Sequence, residues 1–482
     1  MADANRKPVI VWFRNDLRTA DNAALCSAAD TGRPVICLWI QNFDGPVRAP
    51  GAAQTWWLNH SLTALAEKLA NLGVQLVLRS GNPASILGTL INETGASSVY
   101  WNRRYDPAAI PLDTSIKTAL RDKGIEVRTF DGQLLHEPTQ VRTGSGTPFK
   151  VFTPFWRTVR SGPEPRLPYP APLKLSAFGD RIQSERLEDW NFLPTKPDWA
   201  GGMREGWKPG EDGAFDRLAD FIEGALDGYA EDRNVPGRVT TSKLSPHLAM
   251  GEITPYQLWH AVSFAYPASG RDVEKFRSEV GWREFAYHLL FQFPKLANDN
   301  FNAGFDPFPW AKPGPLHLNA WQKGSTGYPI VDAGMRELWT TGWMHNRVRM
   351  IVASFLIKHL MIDWRDGERW FWDTLVDACP ANNPASWQWV AGSGADAAPY
   401  YRIFNPILQG ERFDGDGAYV RKWVPELASL PDQYLHKPWV APAHVLHASG
   451  IHLGLTYPKP VVDHDQARQR ALAAFKSLKD AA

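Results

Sequence analysis

The chain has 482 residues, 52 of them Lys or Arg and 51 Asp or Glu, for a formal net charge of +1. Such a length buries a large core and allows two or three domains, while the charge balance excludes a uniformly basic nucleic-acid binder: an anionic partner has to meet a local patch. Three cysteines, Cys26, Cys37 and Cys379, make no CxxC pair and no even framework, which speaks against disulfides and thiolate metal sites and for a reducing cytoplasm.

The N-terminal MADANRKPVI has no apolar signal core, and no apolar run approaches the ~18 residues of a membrane span, so no membrane partner is expected. From Val9 onward, short apolar runs alternate with helical periodicity. The runs VIVWF (from Val9), VICLWI (from Val35), VQLVL (from Val74), SSVYWN (from Ser97) and IEVRTF (from Ile125) read as strands. Between them, QTWWLNHSLTALAEKLANLG and PLDTSIKTALRDKG space apolar residues as helices do and stop at Gly73 and Gly124. Strand then helix, repeated, predicts an α/β domain over residues 1–135, a doubly wound parallel sheet covered on both faces. Neither GxGxxG nor GxxxxGK[ST] occurs there, so no dinucleotide or P-loop site is indicated. The stretch RNDLRTADN after the first strand reads as a charged, solvated loop.

Residues 136–213 read as a Pro-rich connector, because SGPEPRLPYPAPLKL and LPTKPDWAGG forbid regular helix or central strand. Residues 214–482 lose the strand signal and keep helical periodicity, through EKFRSEVGWREFAYHLLFQF and GWMHNRVRMIVASFLIKHLMIDW, which predicts an all-α domain.

Within that half, VTTSKLSPHLAMGEITP sets hydroxyls before an apolar helix. Thr241, Ser242 and Ser245 read first as helix caps; with Lys243 they also make a phosphate cradle. In HNRVRMIVASF, Asn346 and Met350 share a helix face, and Arg349 lies beside apolar turns, where an arginine needs a carboxylate such as Asp377. Of the 22 tryptophans, eleven fall between Trp259 and Trp389. Core packing explains any single one, but indoles can also be oxidised and reduced in turn, so spaced tryptophans such as Trp310, Trp364 and Trp387 can carry charge to a buried redox cofactor. No HExxH, no GxSxG around Ser393 and no Cys-His signature supports a hydrolase, and no metal site is expected.

Taken together, VWFRNDLRTADNAAL, RNVPGRVTTSKLSPHLAMGEI, EVGWREF, TGYPIVDAGMREL, TGWMHNRVRM, DWRDGE and NNPASWQW with FNPILQGERFD resemble, in order, the motifs of the DNA photolyase and cryptochrome family over almost the whole chain. The chain looks most like the bacterial third class of cyclobutane photolyases. The resemblance implies FAD in the helical domain, with Tyr229 and the run Thr241, Ser242, Lys243, Leu244 and Ser245 on its phosphates. It also implies Phe276, Arg283, Asn346, Arg349, Asp377, Ala378, Cys379 and Asn383 around its rings. Lys243 stands where many relatives have Arg, and Cys379 where many have Asp. Asn383 matches the residue facing the reactive ring nitrogen, where a neutral amide favours the anionic reduced flavin that repair requires; plant cryptochromes usually carry Asp there.

By the same resemblance, Trp387, Trp364 and Trp310 form the photoreduction relay, the spacing from Trp310 to Trp321 being one residue longer than usual. Glu279 bonds the edge of the damaged base, Trp282 and Trp389 pack its faces, and Arg233, Asn346, Arg347 and Met350 meet base or phosphate. Relatives acting on (6-4) photoproducts usually have histidines where this chain has Asn346 and Met350. The implied activity is light-dependent repair of cyclobutane pyrimidine dimers in UV-damaged DNA by a monomer. The alternatives are a cryptochrome-like blue-light receptor, though the chain closes on a short DQARQRALAAFKSLKDAA rather than a long tail, and a (6-4) photolyase. A second, antenna chromophore is implied: methenyltetrahydrofolate, or 8-hydroxy-5-deazaflavin, since Ala108 and Ala109 stand where some folate binders have Asn and Glu.

Overall fold

The structure, a computed structural model, describes residues 7–265, 270–311, 314–397 and 401–480. The first six residues of the N-terminal stretch considered above lie outside it. The chain divides into two compact units, one comprising Met1–Asp198, Trp207–Glu223 and Ser242–Pro294, the other Trp199–Gly206, Gly224–Thr241 and Lys295–Ala482. These do not follow the expected boundaries at 135 and 213: the helices Ser245–Met250, Pro255–Ala265 and Arg271–Gln292 group with the sheet.

In the first unit, strands β1 (Val9–Phe13), β2 (Pro34–Gln41), β3 (Leu76–Ser80), β4 (Ser98–Asn102) and β5 (Glu126–Phe130) form a parallel sheet in the order β3-β2-β1-β4-β5. Val9 pairs with Val35 on one side and Ser98 on the other. All of β1 is buried, as a central parallel strand requires. The helices Ala52–Asn71, Pro83–Thr94 and Ala109–Asp122 cover it; Leu87, Leu90, Ile116 and Leu120 pack with Ile10, Trp12, Ile36 and Val99. The Pro-rich segment adds a two-residue strand, β6 (Ser176–Ala177), parallel to β2. Proline forbids the first residues of that segment from pairing, not the ones that follow.

RNDLRTADN is not a solvated loop. Arg14, Asp16, Arg18, Thr19, Asp21 and Asn22 are all buried, and each has its partner far along the chain. Arg14 Nη1 donates to Asp113 at 3.1 Å and its guanidinium lies 4.5 Å from the Trp12 ring. Burial lowers its pKa to about 10, against the opposing pull of Asp113. Asn102 Nδ2 donates to Asp16 at 2.7 Å, Arg18 Nη1 to the Gly251 carbonyl at 2.8 Å, and Thr254 Oγ1 to Asp21 at 2.6 Å. Gly251 ends the Ser245–Met250 helix at φ +67°, and a Cβ there would lie 2.0 Å from the Asn15 carbonyl oxygen. Only glycine allows that approach.

The second unit is helical, with a core that gathers Trp321, Val348, Val352, Leu356, Trp364, Phe371 and Trp387. The segment that reads as one long helix, from Gly342 to Trp364, is instead broken. It runs as helix Asn346–Ser354, one π turn Phe355–His359, Met361 at φ +57°, and then a new helix Trp364–Thr374 capped by Asp363. Among the described residues no helix is long and apolar enough to cross a membrane.

Candidate functional site

In the second unit the expected ion pair forms. Arg349 holds Asp377 in bidentate fashion, Nη1 to Oδ1 at 3.1 Å and Nη2 to Oδ2 at 2.8 Å, and its Nε donates to the Met344 carbonyl at 2.7 Å. Two parallel charge-assisted bonds fix both planes. Ala378 and Cys379, next along, are buried, and the Cys379 sulfur accepts from Asn382 Nδ2 at 3.1 Å. A thiol thus performs part of what an Asp would do in front of the Asn382–Ala391 helix.

Asn383 on that helix donates both Nδ2 protons to one buried residue, Glu368, at 3.0 Å to its carbonyl and 2.8 Å to its carboxylate. Glu368 has no signal in the sequence beyond its place in DWRDGE. Trp387, one helical turn on, is buried against Phe371 at 5.0 Å and Trp321 at 6.3 Å, both edge to face. Trp364 is fully buried and donates its indole N–H to Asn300 at 3.0 Å. Trp387 and Trp364 are not ring neighbours; Trp321, noted in the sequence only for its spacing, packs against Trp387 instead. Trp310 is half-buried against Phe308 at 4.3 Å. Trp389 is half-buried and donates to the Asp396 carbonyl at 3.0 Å.

Asn346 is exposed at the first position of its helix, which His345 caps by accepting from Arg347 N at 3.2 Å. Arg347 is held by Asn234 at 2.7 Å, lies 4.4 Å from the Phe413 ring and touches the Met350 sulfur at 3.8 Å. Arg233 lies 5.6 Å from the ring of the buried Tyr229, and Thr241 is half-buried.

In the first unit, the hydroxyls do not cap. The Ser245–Met250 helix has Leu244 at its cap position, with no side-chain bond, and Ser242 Oγ accepts from Leu244 N at 3.4 Å. Lys243 adopts φ +50°, a conformation that costs a β-carbon-bearing residue free energy and gathers at functional sites. The Arg271–Gln292 helix carries the rest. Phe276 is buried against Phe221 at 4.8 Å, Glu279 pairs with Lys275 at 2.7 Å, and Trp282 stacks on Phe152 at 3.8 Å. Arg283 Nη1 donates to the Gln133 carbonyl at 2.9 Å.

Two buried titratable groups escaped sequence reasoning. Glu284 accepts from His136 N at 3.2 Å and is pushed by burial up to about 7. Lys358, in the π turn, is pushed by burial down to about 7. An isolated charge within an apolar run was the available signal for Lys358.

The family model for the FAD binding domain of DNA photolyase matches residues 276–477, and that for DNA photolyase matches residues 9–172. A deoxyribodipyrimidine photo-lyase of Agrobacterium fabrum is 56% identical, over 98% of this chain and 98% of that protein. Cryptochrome-1 of Arabidopsis thaliana is 38% identical over 97% of this chain and 70% of that protein. The crystal structure of a bacterial class III photolyase from Agrobacterium tumefaciens superimposes with a TM-score of 0.96 at 56% identity, covering 98% of both chains. The chain belongs to the DNA photolyase and cryptochrome family.

Proposed function

We propose that the chain repairs cyclobutane pyrimidine dimers in UV-damaged DNA under light. The observation that carries this reading is the 56% identity, over 98% of both chains, to the Agrobacterium photo-lyase, against 38% for the Arabidopsis cryptochrome. Bound FAD supplies the photoexcited electron that opens the dimer. The chain's own residues bind, orient and shield. Tyr229 and the Thr241–Ser245 stretch hold the cofactor's phosphates, and Arg349, Asp377, Cys379 and Asn383 border its rings. The donor set suits a flavin that must gain negative charge. Asp377 is paired with Arg349, and Asn383 is an amide that cannot ionise, held in place by Glu368.

Trp387, Trp364 and Trp310 pass charge inward by successive oxidation and reduction. Glu279 bonds the base edge of the extruded dimer, and Trp282 and Trp389 pack its faces. Arg233, Asn346, Arg347 and Met350 meet base and phosphate. Extrusion is cheaper at a lesion than at an intact pair.

The antenna is a methenyl folate in the first unit. Doubly wound sheets ordinarily take ligand at the switch point, here between the ends of β1 and β4. The pocket lined there by Arg14, Asp16 and Asn102 holds only about 10 Å³, too little for either chromophore. A cavity of about 410 Å³ opens instead at the ends of β2 and β3, lined by Gln41, Phe43, Asp44 and Asn82, a size suited to a small cofactor. Spectra of chromophores released from purified protein decide its identity.

The assignment itself is tested by incubating the reduced, FAD-loaded protein with dimer-bearing oligonucleotide under blue light. Loss of dimers is expected; unchanged dimer content overturns repair and leaves light signalling.

A further inference from the structure

Lys358 is 1% exposed and belongs to the π turn Phe355–His359, the kind of helical irregularity that concentrates at functional sites. Among the described residues no carboxylate pairs with it. Its Nζ donates to the Arg402 carbonyl at 3.0 Å and lies 3.8 Å from the Tyr401 ring centre. Burying an ammonium without a counter-ion is costly, and a methionine of similar length would fill the space without that cost. The position therefore uses the amine for something other than packing.

Its surroundings indicate what. Lys358, Ser354, Trp389, Arg402 and Phe404 line one small cavity. Trp389 is half-buried, Arg402 is exposed, and Lys358 holds the Arg402 carbonyl. On the reading given above, Trp389 meets the face of the extruded dimer.

We propose that Lys358 is a positioning residue for lesion binding: by holding the Arg402 carbonyl and the Tyr401 ring in the cavity it shares with Trp389, its ammonium sets Trp389 against the base and Arg402 towards the flanking phosphate. The inference rests on that assignment of Trp389. The charged form grips best, since a neutral amine loses one donor and its attraction to the Tyr401 ring. A nearby phosphate in turn favours the charged form, so binding is linked to proton uptake.

Burial shifts the neighbouring histidines and the Tyr401 phenol toward their neutral forms. Burial drives His359 down to about 3 and lowers His464, its partner at 2.8 Å on the C-terminal helix. Burial drives the Tyr401 phenol up.

The experiment measures affinity for a dimer-bearing oligonucleotide from about pH 6 to about pH 9 for the FAD-loaded wild type and Lys358→Met, with melting temperature and flavin absorbance as folding controls. The wild type is expected to bind about tenfold more weakly at the alkaline end, and the variant to bind weakly and evenly throughout. Calorimetry of the wild type in two buffers of different ionisation heat supplies a measurement that needs no variant, and net proton uptake on binding is expected. A wild type that binds dimers without proton uptake, or a folded Lys358→Met of unchanged affinity and pH profile, overturns the proposal. A wild type that binds no dimer at any pH overturns the repair reading beneath it.

Discussion

Gly367 shows how closely the chain is fitted around one indole. A Cβ at this position would lie 2.1 Å from Trp387. Gly367→Ala should therefore destabilise the protein by roughly 1–3 kcal/mol through overpacking and loosen flavin retention, read by thermal unfolding and absorbance. Trp364→Phe removes an oxidisable ring and its bond to Asn300 while keeping the bulk. Photoreduction should slow by about tenfold or more, whereas repair by chemically reduced protein persists; equal loss of both would contradict the relay. Glu279→Ala should weaken repair more than flavin retention, since Glu279 and its ion-pair partner Lys275 are both only half-buried. The alternation of Trp387 and Trp389 is the part of the site most legible in the sequence. Two positions on a helix lie about 200° apart, so one indole turns inward and the other outward, as the buried Trp387 and half-buried Trp389 do.

At the scale of elements, the Arg271–Gln292 helix is tied to the segment Gln133–His136 by Arg283, Glu284 and His288, whose imidazole bonds the His136 carbonyl at 3.2 Å. Glu284 has a folded pKa raised by burial from 4.5 to about 7. Its protonated form is therefore favoured by folding. The stability it contributes is complete below about pH 4.5 and is lost as pH rises to about 7. Glu284→Gln keeps an acceptor for His136 N and cannot ionise, so its melting temperature should fall less than that of the wild type between those limits. A second test addresses the strained turn before the Ser245 helix. Lys243→Gly should relieve φ +50° and stabilise by about 0.5–1 kcal/mol; flavin retention that falls despite this stability would mark the lysine side chain as a phosphate contact. The strands and most helices were readable because alternation and helical spacing differ. The π turn was not. VRMIVASFLIKHLMI is apolar on nearly every side, so nothing in it marks the residue at which the register steps. RNDLRTADN misled for a related reason: charge in a sequence reports polarity, not the distance to a partner such as Asp113 or Gly251.

For the molecule as a whole, a net charge of +1 means that DNA affinity rests on a few local cations. Affinity for dimer-bearing duplex should fall with salt along a shallow line, and Arg347→Ala should reduce the slope of log K against log salt by about 1. An unchanged slope would remove Arg347 from the phosphate contacts. The chain also passes between its two compact units after residues 198, 206, 223, 241 and 294. Exchange of N-terminal halves between relatives is accordingly no simple matter of splicing at residue 135. A transplanted first segment would arrive without Gly251 and Thr254, on which its own Arg18 and Asp21 close. Recombination in this lineage should therefore retain junctions near residue 294 and discard earlier ones, a bias that a library of shuffled chimeras would expose as survival of the folded few.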